Sequence, residues 1–368
     1  MLRGGAAACA ARCRAAQCCA GAAACAAQCC AGVVARGPVL RGPHHGTSVC
    51  DDPPMTGYRM TDAGADATDL RERLAGVRGL VLDLDGVLVL KAKLLPGAAE
   101  ALAELDERGM PWVVGTNMSL ASRATLAREL ARGGLPVPAE RMVTAASAAA
   151  AVARRRFGTA PLYVMGSEDA MAEFAGLTLL SHDQAAEPGV AAAAVIVGDA
   201  GDEFTTRNIQ SAFRLLRGGA AFVAMHKNRW WITPDGVLLD SGSYVAALEY
   251  ATERRALVTG KPSRTFFGEA VRMLGAGAAP GNGAAAATAA AGAAERGAAE
   301  RLSSHEVAMV GDDLWNDIRG AQKAGLRGVF VLSGKHGKAE LARAAAERGG
   351  REPDAIAPSI VEVVAALA

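Results

Sequence analysis

Val81-Leu82-Asp83-Leu84-Asp85-Gly86-Val87-Leu88 is the stretch that decides how this chain folds. The run leading into it, Gly79-Leu80-Val81-Leu82, is apolar on both faces, as a strand in the middle of a parallel sheet must be. The two carboxylates that follow leave from the strand's carboxyl end, the edge at which open α/β sheets bind ligands. A blander reading is a strand ending in a solvated Asp-rich turn, with Gly86 supplying a positive φ. Three later segments weigh against it.

The second segment, Val113-Val114-Gly115-Thr116-Asn117, ends a strand in a hydroxyl and an amide, and alone it reads as the N-cap of a helix after Met118. The third, Val258-Thr259-Gly260-Lys261-Pro262, ends in a lysine held between Gly and Pro before a helix opening near Ser263; a lone loop lysine is ordinarily solvated surface. The fourth runs Val307-Ala308-Met309-Val310-Gly311-Asp312-Asp313-Leu314-Trp315-Asn316-Asp317-Ile318. It ends in two acids with a third one helical turn on, which alone reads as an Asp cap and an exposed helix acid. Caps and turns do not explain four strand ends of one sheet carrying Asp/Asp, Thr, Lys and Asp/Asp in that order. Clustered carboxylates repel one another, so they imply a bound cation, and an all-oxygen donor set suits Mg²⁺.

Around these segments, short apolar runs alternate with helical stretches. Further strands are expected at Trp112-Val113-Val114, Leu162-Tyr163-Val164, Ala194-Val195-Ile196-Val197, Phe222-Val223-Ala224, Ala256-Leu257-Val258 and Gly328-Val329-Phe330-Val331-Leu332. Helices are expected at 97–108, 120–132, 204–217 and 244–253. The alternation predicts an α/β fold, a Rossmann-like doubly wound parallel sheet with crossover helices. Thr116 follows Asp83 by 33 positions, too few for a domain, whereas Lys261 follows Thr116 by 145, which leaves room for an inserted α/β domain. The expected boundaries are a tail at 1–75, a first core part at 76–143, the insertion at 144–255 and a second core part at 256–368. Within the last part, about 275–303 is Ala/Gly-rich and reads as an inserted loop.

Composition narrows the classes. Among 368 residues, 39 Lys and Arg stand against 38 Asp and Glu, which gives no charge-based case for nucleic-acid binding. The longest apolar stretches are Ala-rich and interrupted, unlike a bilayer span, so a soluble protein without a membrane partner is expected. All eight cysteines fall at or before Cys50, so the remainder has neither a disulfide framework nor a thiol nucleophile. Residues 1–50 hold five arginines and no Asp, Glu or Lys. They read either as an organelle transit peptide, which would place the protein in a chloroplast or mitochondrion, or as a Cys/Ala-rich tail of a cytoplasmic protein. The cysteine spacings do not match a paired zinc site, although a redox or metal role for the tail is a third idea.

In order and content, the four segments resemble the motifs of the haloacid dehalogenase (HAD) superfamily of phosphatases, over about residues 78 to 365. The resemblance implies Asp83 as a nucleophile that forms an aspartyl-phosphate and Asp85 as the acid and base for leaving group and water. It implies Thr116 with nearby amides at the phosphoryl oxygens, and Lys261 neutralising charge on Asp83 and phosphate. Mg²⁺ would sit on Asp83, the Asp85 carbonyl oxygen and Asp312, with Asp313 and Asp317 behind them. A phosphomonoester dianion repels a carboxylate nucleophile, so attack needs such positive charge. Crowding beside Asp83 is expected to raise the pKa of Asp85.

The insertion matches the superfamily's large-cap class, subclass IIA. Leu95-Pro96-Gly97-Ala98 and 246–252 resemble the subclass that contains ribonucleotide monophosphatases, 4-nitrophenylphosphatases and phosphoglycolate phosphatases. The segments 210–216, Ala224-Met225-His226-Lys227 and Arg229-Trp230-Trp231 look closest to one branch. That branch holds haloacid dehalogenase-like hydrolase domain-containing protein 2 and phospholysine phosphohistidine inorganic pyrophosphate phosphatase. The substrate implied is a small phosphorylated molecule, a phosphomonoester, pyrophosphate or phosphoamide.

Asn117, His226 and Lys227 join Thr116 and Lys261 as candidate substrate contacts, with Asp199, Asp202, Asn228 and Arg229 behind them. His226 reads equally as a buried structural histidine, and Trp230 and Trp231 as packing. Ser333-Gly334-Lys335-His336-Gly337 is either a loop at the site or a plain connection. A homodimer through the caps is the implied assembly. A phosphotransferase or mutase using the same intermediate, and a non-catalytic binding protein on this fold, are the competing functions.

Overall fold

The computed structural model describes residues 67–233, 236–275, 302–347 and 351–367. The chain divides into Met1–Thr61 and Asp62–Ala368, and all described residues belong to the second unit. Residues 1–66 of the expected tail and 276–301 of the expected loop fall outside the described residues, whereas 67–74, also placed in the tail, form the helix Ala67–Leu74, with Leu70 and Leu74 buried in the core.

In chain order the strands are β1 Gly79–Leu82, β2 Val89–Leu90, β3 Lys93–Leu94, β4 Trp112–Thr116, β5 Met142–Thr144, β6 Leu162–Met165 and β7 Ala194–Val197. They continue with β8 Ala221–Ala224, β9 Trp230–Thr233, β10 Gly236–Leu239, β11 Leu257–Val258, β12 Val307–Gly311, β13 Arg327–Val331 and β14 Ala355–Ala357. Two parallel sheets result. One has six strands in the order β14-β13-β12-β1-β4-β5, and the other has four in the order β11-β8-β7-β6. β2 with β3, and β9 with β10, form antiparallel pairs.

The two-sided burial expected of a central strand is present in β1. Leu80 and Leu82 pack on one face with Leu102 and Leu105, while Val81 packs on the other with Phe266 and Phe267. Leu102 and Leu105 come from the helix Ala98–Glu107, whose Ala98, Ala101, Leu102 and Leu105 form one buried stripe at helical spacing. Full burial of each such leucine contributes about 1.5–3 kcal/mol. The helix Arg264–Gly275 supplies the two phenylalanines on the opposite face. The four-stranded sheet repeats the scheme: Tyr163, Met165, Val195 and Val197 face one side, Leu162, Val164, Ala194 and Ile196 the other.

Caps fix where the helices begin. Ser122 accepts from Thr125 N–H at 3.2 Å, so the helix after β4 starts at Arg123, three residues later than the sequence pattern suggests. Asp240 accepts from Ser241 N–H at 2.6 Å and starts the helix Ser241–Thr252 three residues earlier than the sequence pattern suggests. The expectation that Lys261 hangs from the same sheet as the other three motif residues is corrected: β11 pairs with β8, so Lys261 leaves the four-stranded sheet. Among the described residues no helix is long and apolar enough to cross a membrane.

Candidate active site

The carboxyl ends of β1, β4 and β12 bring Asp83, Thr116 and Asp312 to one edge of the six-stranded sheet, all three buried. Asp83 is fixed by the sheet itself, its N–H donating to Val310 O at 2.9 Å. Its Oδ1 accepts from Leu84 N–H and from Lys261 Nζ, each at 2.7 Å. Lys261 reaches across from the other sheet and also forms an ion pair with Asp317 Oδ1 at 2.7 Å. Asp317 is 0% exposed, which removes the exposed-helix-acid reading of it. It stands in the single π-type turn Leu314–Ile318, and it fits there because residue 311 is glycine: a Cβ at Gly311 would overlap the Asp317 side chain.

Asp313 is the N-cap of that turn and accepts from Trp315 N–H at 2.9 Å and Asn316 N–H at 3.0 Å. The cap reading of the fourth segment is therefore correct for Asp313 while Asp312 points elsewhere. Asp312 is enclosed by backbone. A Cβ at Gly86 or at Gly334 would fall on its carboxylate, and Lys335 N–H donates to its Oδ2 at 2.7 Å. Ser333 Oγ donates to Gly86 O at 2.6 Å, and Lys335 Nζ holds Asp313 Oδ2 at 2.7 Å. The loop after β13 is thus built into the site, which decides between the two readings of 333–337. Ser333 and Lys335 carried no sequence signal beyond their place after a strand, and their roles come from contacts with residues 22 to 247 positions away.

Asp83, Asp312 and Asp317 each offer an oxygen within 4.8 Å of the others'. Lys261 is the ammonium paired within this group and Lys335 pairs with Asp313, so ionisation of all three acids together would leave negative charge in excess. The titration behaviour reflects this. Burial pushes Asp312 up to about 6, and burial with repulsion from Asp83 pushes Asp317 up to about 8. Burial also presses upward on Asp313, but Lys335 and Asn316 outweigh it and hold the group down at about 2. Lys261 is held above its usual value, since Asp317 and Asp83 overcome the cost of burying its charge. Asp85 is open to solvent, yet the protein mass around it raises its pKa. The direction is the expected one, and burial is its largest cause, with Lys261 and Lys335 opposing and Asp317 adding.

Thr116 Oγ1 accepts from Met118 N–H at 3.2 Å and does not cap a helix, that place belonging to Ser122. Asn117 meets the main chain of Lys261 twice, Oδ1 accepting from its N–H at 2.7 Å and Nδ2 donating to its carbonyl at 3.1 Å. His226 is buried, with Nε2 2.8 Å from Ser119 Oγ, and burial holds its pKa below the ordinary imidazole value against the pull of Asp240 and Asp199. Lys227 pairs with Glu249 at 2.6 Å and stays one-third exposed. Trp230 is 56% exposed, so it is not core packing, and the Trp231 side chain lies outside the described residues.

Comparison with known proteins agrees with this arrangement. Residues 80–179 match the family model described as haloacid dehalogenase-like hydrolase, and residues 258–363 match a HAD-hydrolase-like model. Haloacid dehalogenase-like hydrolase domain-containing protein 2 from Bos taurus is 32% identical over 264 residues, 72% of this chain and 87% of that protein. Phospholysine phosphohistidine inorganic pyrophosphate phosphatase from Homo sapiens is 32% identical over 270 residues, covering 72% and 86%. Among solved structures, p-nitrophenyl phosphatase from Archaeoglobus fulgidus superposes with a TM-score of 0.65 at 26% identity over 79% of this chain and 99% of its own. The glycerol phosphate phosphatase from Mycobacterium tuberculosis, solved in complex with magnesium, gives 0.62 at 26% identity over 79% and 77%. With three motif segments at one edge of the six-stranded sheet, Lys261 reaching in from the other sheet, and relatives matched over most of their length, the chain belongs to the haloacid dehalogenase-like hydrolase family.

Proposed function

We propose that this protein is a Mg²⁺-dependent phosphatase that hydrolyses a small phosphorylated molecule through an aspartyl-phosphate on Asp83. The observation that carries the reading is the buried trio Asp83, Asp312 and Asp317, whose oxygens lie within 4.8 Å of one another, a crowded all-oxygen donor set that suits a divalent cation. Asp83, Asp312 and the main-chain carbonyl of Asp85 are the groups assigned to hold it. When bound, Mg²⁺ supplies the positive charge that lets an anionic phosphoryl group approach a carboxylate.

The chain's own groups perform the remaining work. Lys261 and Leu84 N–H fix Asp83 Oδ1, so the second carboxylate oxygen is assigned to attack phosphorus. The new O–P bond forms as the bond from phosphorus to the leaving oxygen breaks, and Asp85 gives its proton to that oxygen. Asp85, now a carboxylate, takes a proton from water. The water oxygen attacks phosphorus, the Asp83–phosphorus bond breaks, and orthophosphate leaves with Asp83 restored. The raised pKa of Asp85 suits the first step, which needs it protonated. Thr116 Oγ1 accepts from Met118 and has its own proton to donate to a phosphoryl oxygen. Lys227, partly exposed, is retained as a candidate substrate contact. The relatives' names, which specify phospholysine, phosphohistidine, pyrophosphate, p-nitrophenyl phosphate and glycerol phosphate, support a small phosphorylated substrate.

The test is orthophosphate release by the purified full chain with Mg²⁺ over phosphomonoesters, pyrophosphate and phosphoamidates, with Asp83→Asn as control. Release by the wild type that falls by at least about a thousandfold in the variant is expected. No release from any compound, or a variant as active as the wild type, would overturn the reading.

A further inference from the structure

Lys261 poses a positioning problem. Its ammonium must stand between Asp83 and Asp317, which belong to the six-stranded sheet, yet its main chain leaves β11 of the four-stranded one. A long, flexible side chain on a separately built sheet has no intrinsic reason to arrive there. The segment Asn117–Leu120, which continues β4 past Thr116, supplies one. Ser167 Oγ, after β6, donates to Leu120 O, and Asp199 N–H, after β7, donates to Ser119 Oγ at 3.3 Å. His226, after β8, pairs with Ser119 Oγ at 2.8 Å, and Lys261, after β11, is held by Asn117. The strands therefore meet residues 120, 119, 119 and 117 in the same order in which they lie side by side in their sheet.

We infer that Asn117 is a positioning residue: its side-chain amide grips both main-chain polar groups of Lys261 and so sets where the ammonium stands. The inference rests on the reading of Lys261 as the cation of a phosphoryl site. Hydrogen bonds to both the N–H and the C=O of one residue fix the two peptide groups that flank its Cα, as a neighbouring strand would. Gly260 admits the contact, because a Cβ there would sit 2.6 Å from Asn117 Oδ1 and 2.5 Å from Met225 O. The amide retains one lone pair and one N–H beyond these two bonds, so direct contact with substrate is the alternative that an experiment has to separate.

The experiment uses the full chain labelled with ¹⁵N-lysine. The sequence has seven lysines, and the buried Lys261 ammonium is expected as a distinct, slowly exchanging resonance, assigned by its loss in Lys261→Ala. In Asn117→Ala that resonance should shift or broaden, and kcat for the best substrate of the phosphate-release panel should fall about 100-fold with KM changed little. Added to Lys261→Ala, the same substitution should change kcat by less than about threefold, because it acts through a side chain already removed. Asn117→Asp is the second variant. It keeps the acceptor for Lys261 N–H, sets an oxygen against the Lys261 carbonyl, and should disturb the resonance likewise.

An unchanged resonance with reduced kcat would assign Asn117 to the substrate and overturn the proposal, as would unchanged kcat. So would the absence of a distinct Lys261 resonance in the wild type, or loss of fold in both variants by circular dichroism. A wild type without turnover whose Lys261 resonance still responds to Asn117→Ala would sink the phosphatase reading while supporting the positioning role.

Discussion

The carboxyl edges of the two parallel sheets have opposite electrostatic characters. At the six-stranded sheet, Asp83, Asp312 and Asp317 are buried with too little positive charge, and Asp312 and Asp317 have pKa values pushed up to about 6 and about 8. At the four-stranded sheet, His226, Ser119 and Asp199 N–H answer one another by hydrogen bonds, with the histidine held below its ordinary pKa by burial against the pull of Asp240 and Asp199. Burial of both edges is similar, so burial is not what separates a reactive site from a joint. The difference lies in whether the buried polar groups satisfy one another or leave a deficit that a ligand must fill. Lys261 is the charged group the second edge sends into the first.

Removing that lysine gives the sharpest test of the contrast. Lys261→Met should lower kcat by roughly a thousandfold, since it deletes the positive charge on Asp83 at the transferring group; a loss under tenfold would mean that the second edge adds no chemistry. A smaller effect, on stability, should come from the metal. Mg²⁺ at about 100 times its dissociation constant should stabilise the fold by about 2.7 kcal/mol, several degrees in Tm by calorimetry, with most of the gain absent in Asp312→Asn. Equal gains in both proteins would show that the charge deficit is not at this edge.

The smallest effect belongs to the joint. Burial keeps His226 neutral in the folded protein at pH values where an unfolded chain, with an imidazole pKa near 6.5, takes up a proton. Stability from this source is therefore complete above about pH 6.5 and is lost as pH falls below it. Asp312 and Asp317, with raised pKa values, act in the opposite sense but alike in both proteins, so between pH 7.5 and 5.5 the Tm of the wild type should fall relative to that of His226→Gln. Parallel slopes would show that the histidine is not what makes the joint sensitive to acid.

Much of this was legible in the sequence because the site's residues follow strands with two buried faces. Asp83, Thr116 and Asp312 could be placed at one edge from apolar runs alone. The origin of Lys261 was not legible: β11 has two residues, Leu257 and Val258, and so short a strand shows no periodicity that would reveal which sheet it joins. Met142–Thr144 and Ala355–Ala357 went unread for the same reason, the latter with alanine, a poor strand former, at two of three positions. Ser119, Ser333 and Lys335 act through partners distant in sequence, and single serines and lysines in loops carry no pattern. His226 shows the limit from the other side, since its residue type suits a ligand contact or a structural histidine alike, and its burial beside Ser119 comes from the structure alone.

The residues 117–120 also bear on protein engineering. A foreign four-stranded sheet grafted onto this core would have to reproduce hydroxyl, amide and imidazole partners at the ends of four separate strands, because a graft matched only at its two chain junctions would leave Lys261 without its grip. Exchange of specificity by recombination should therefore succeed most often when the donor brings its own version of the residues after Thr116 along with the sheet.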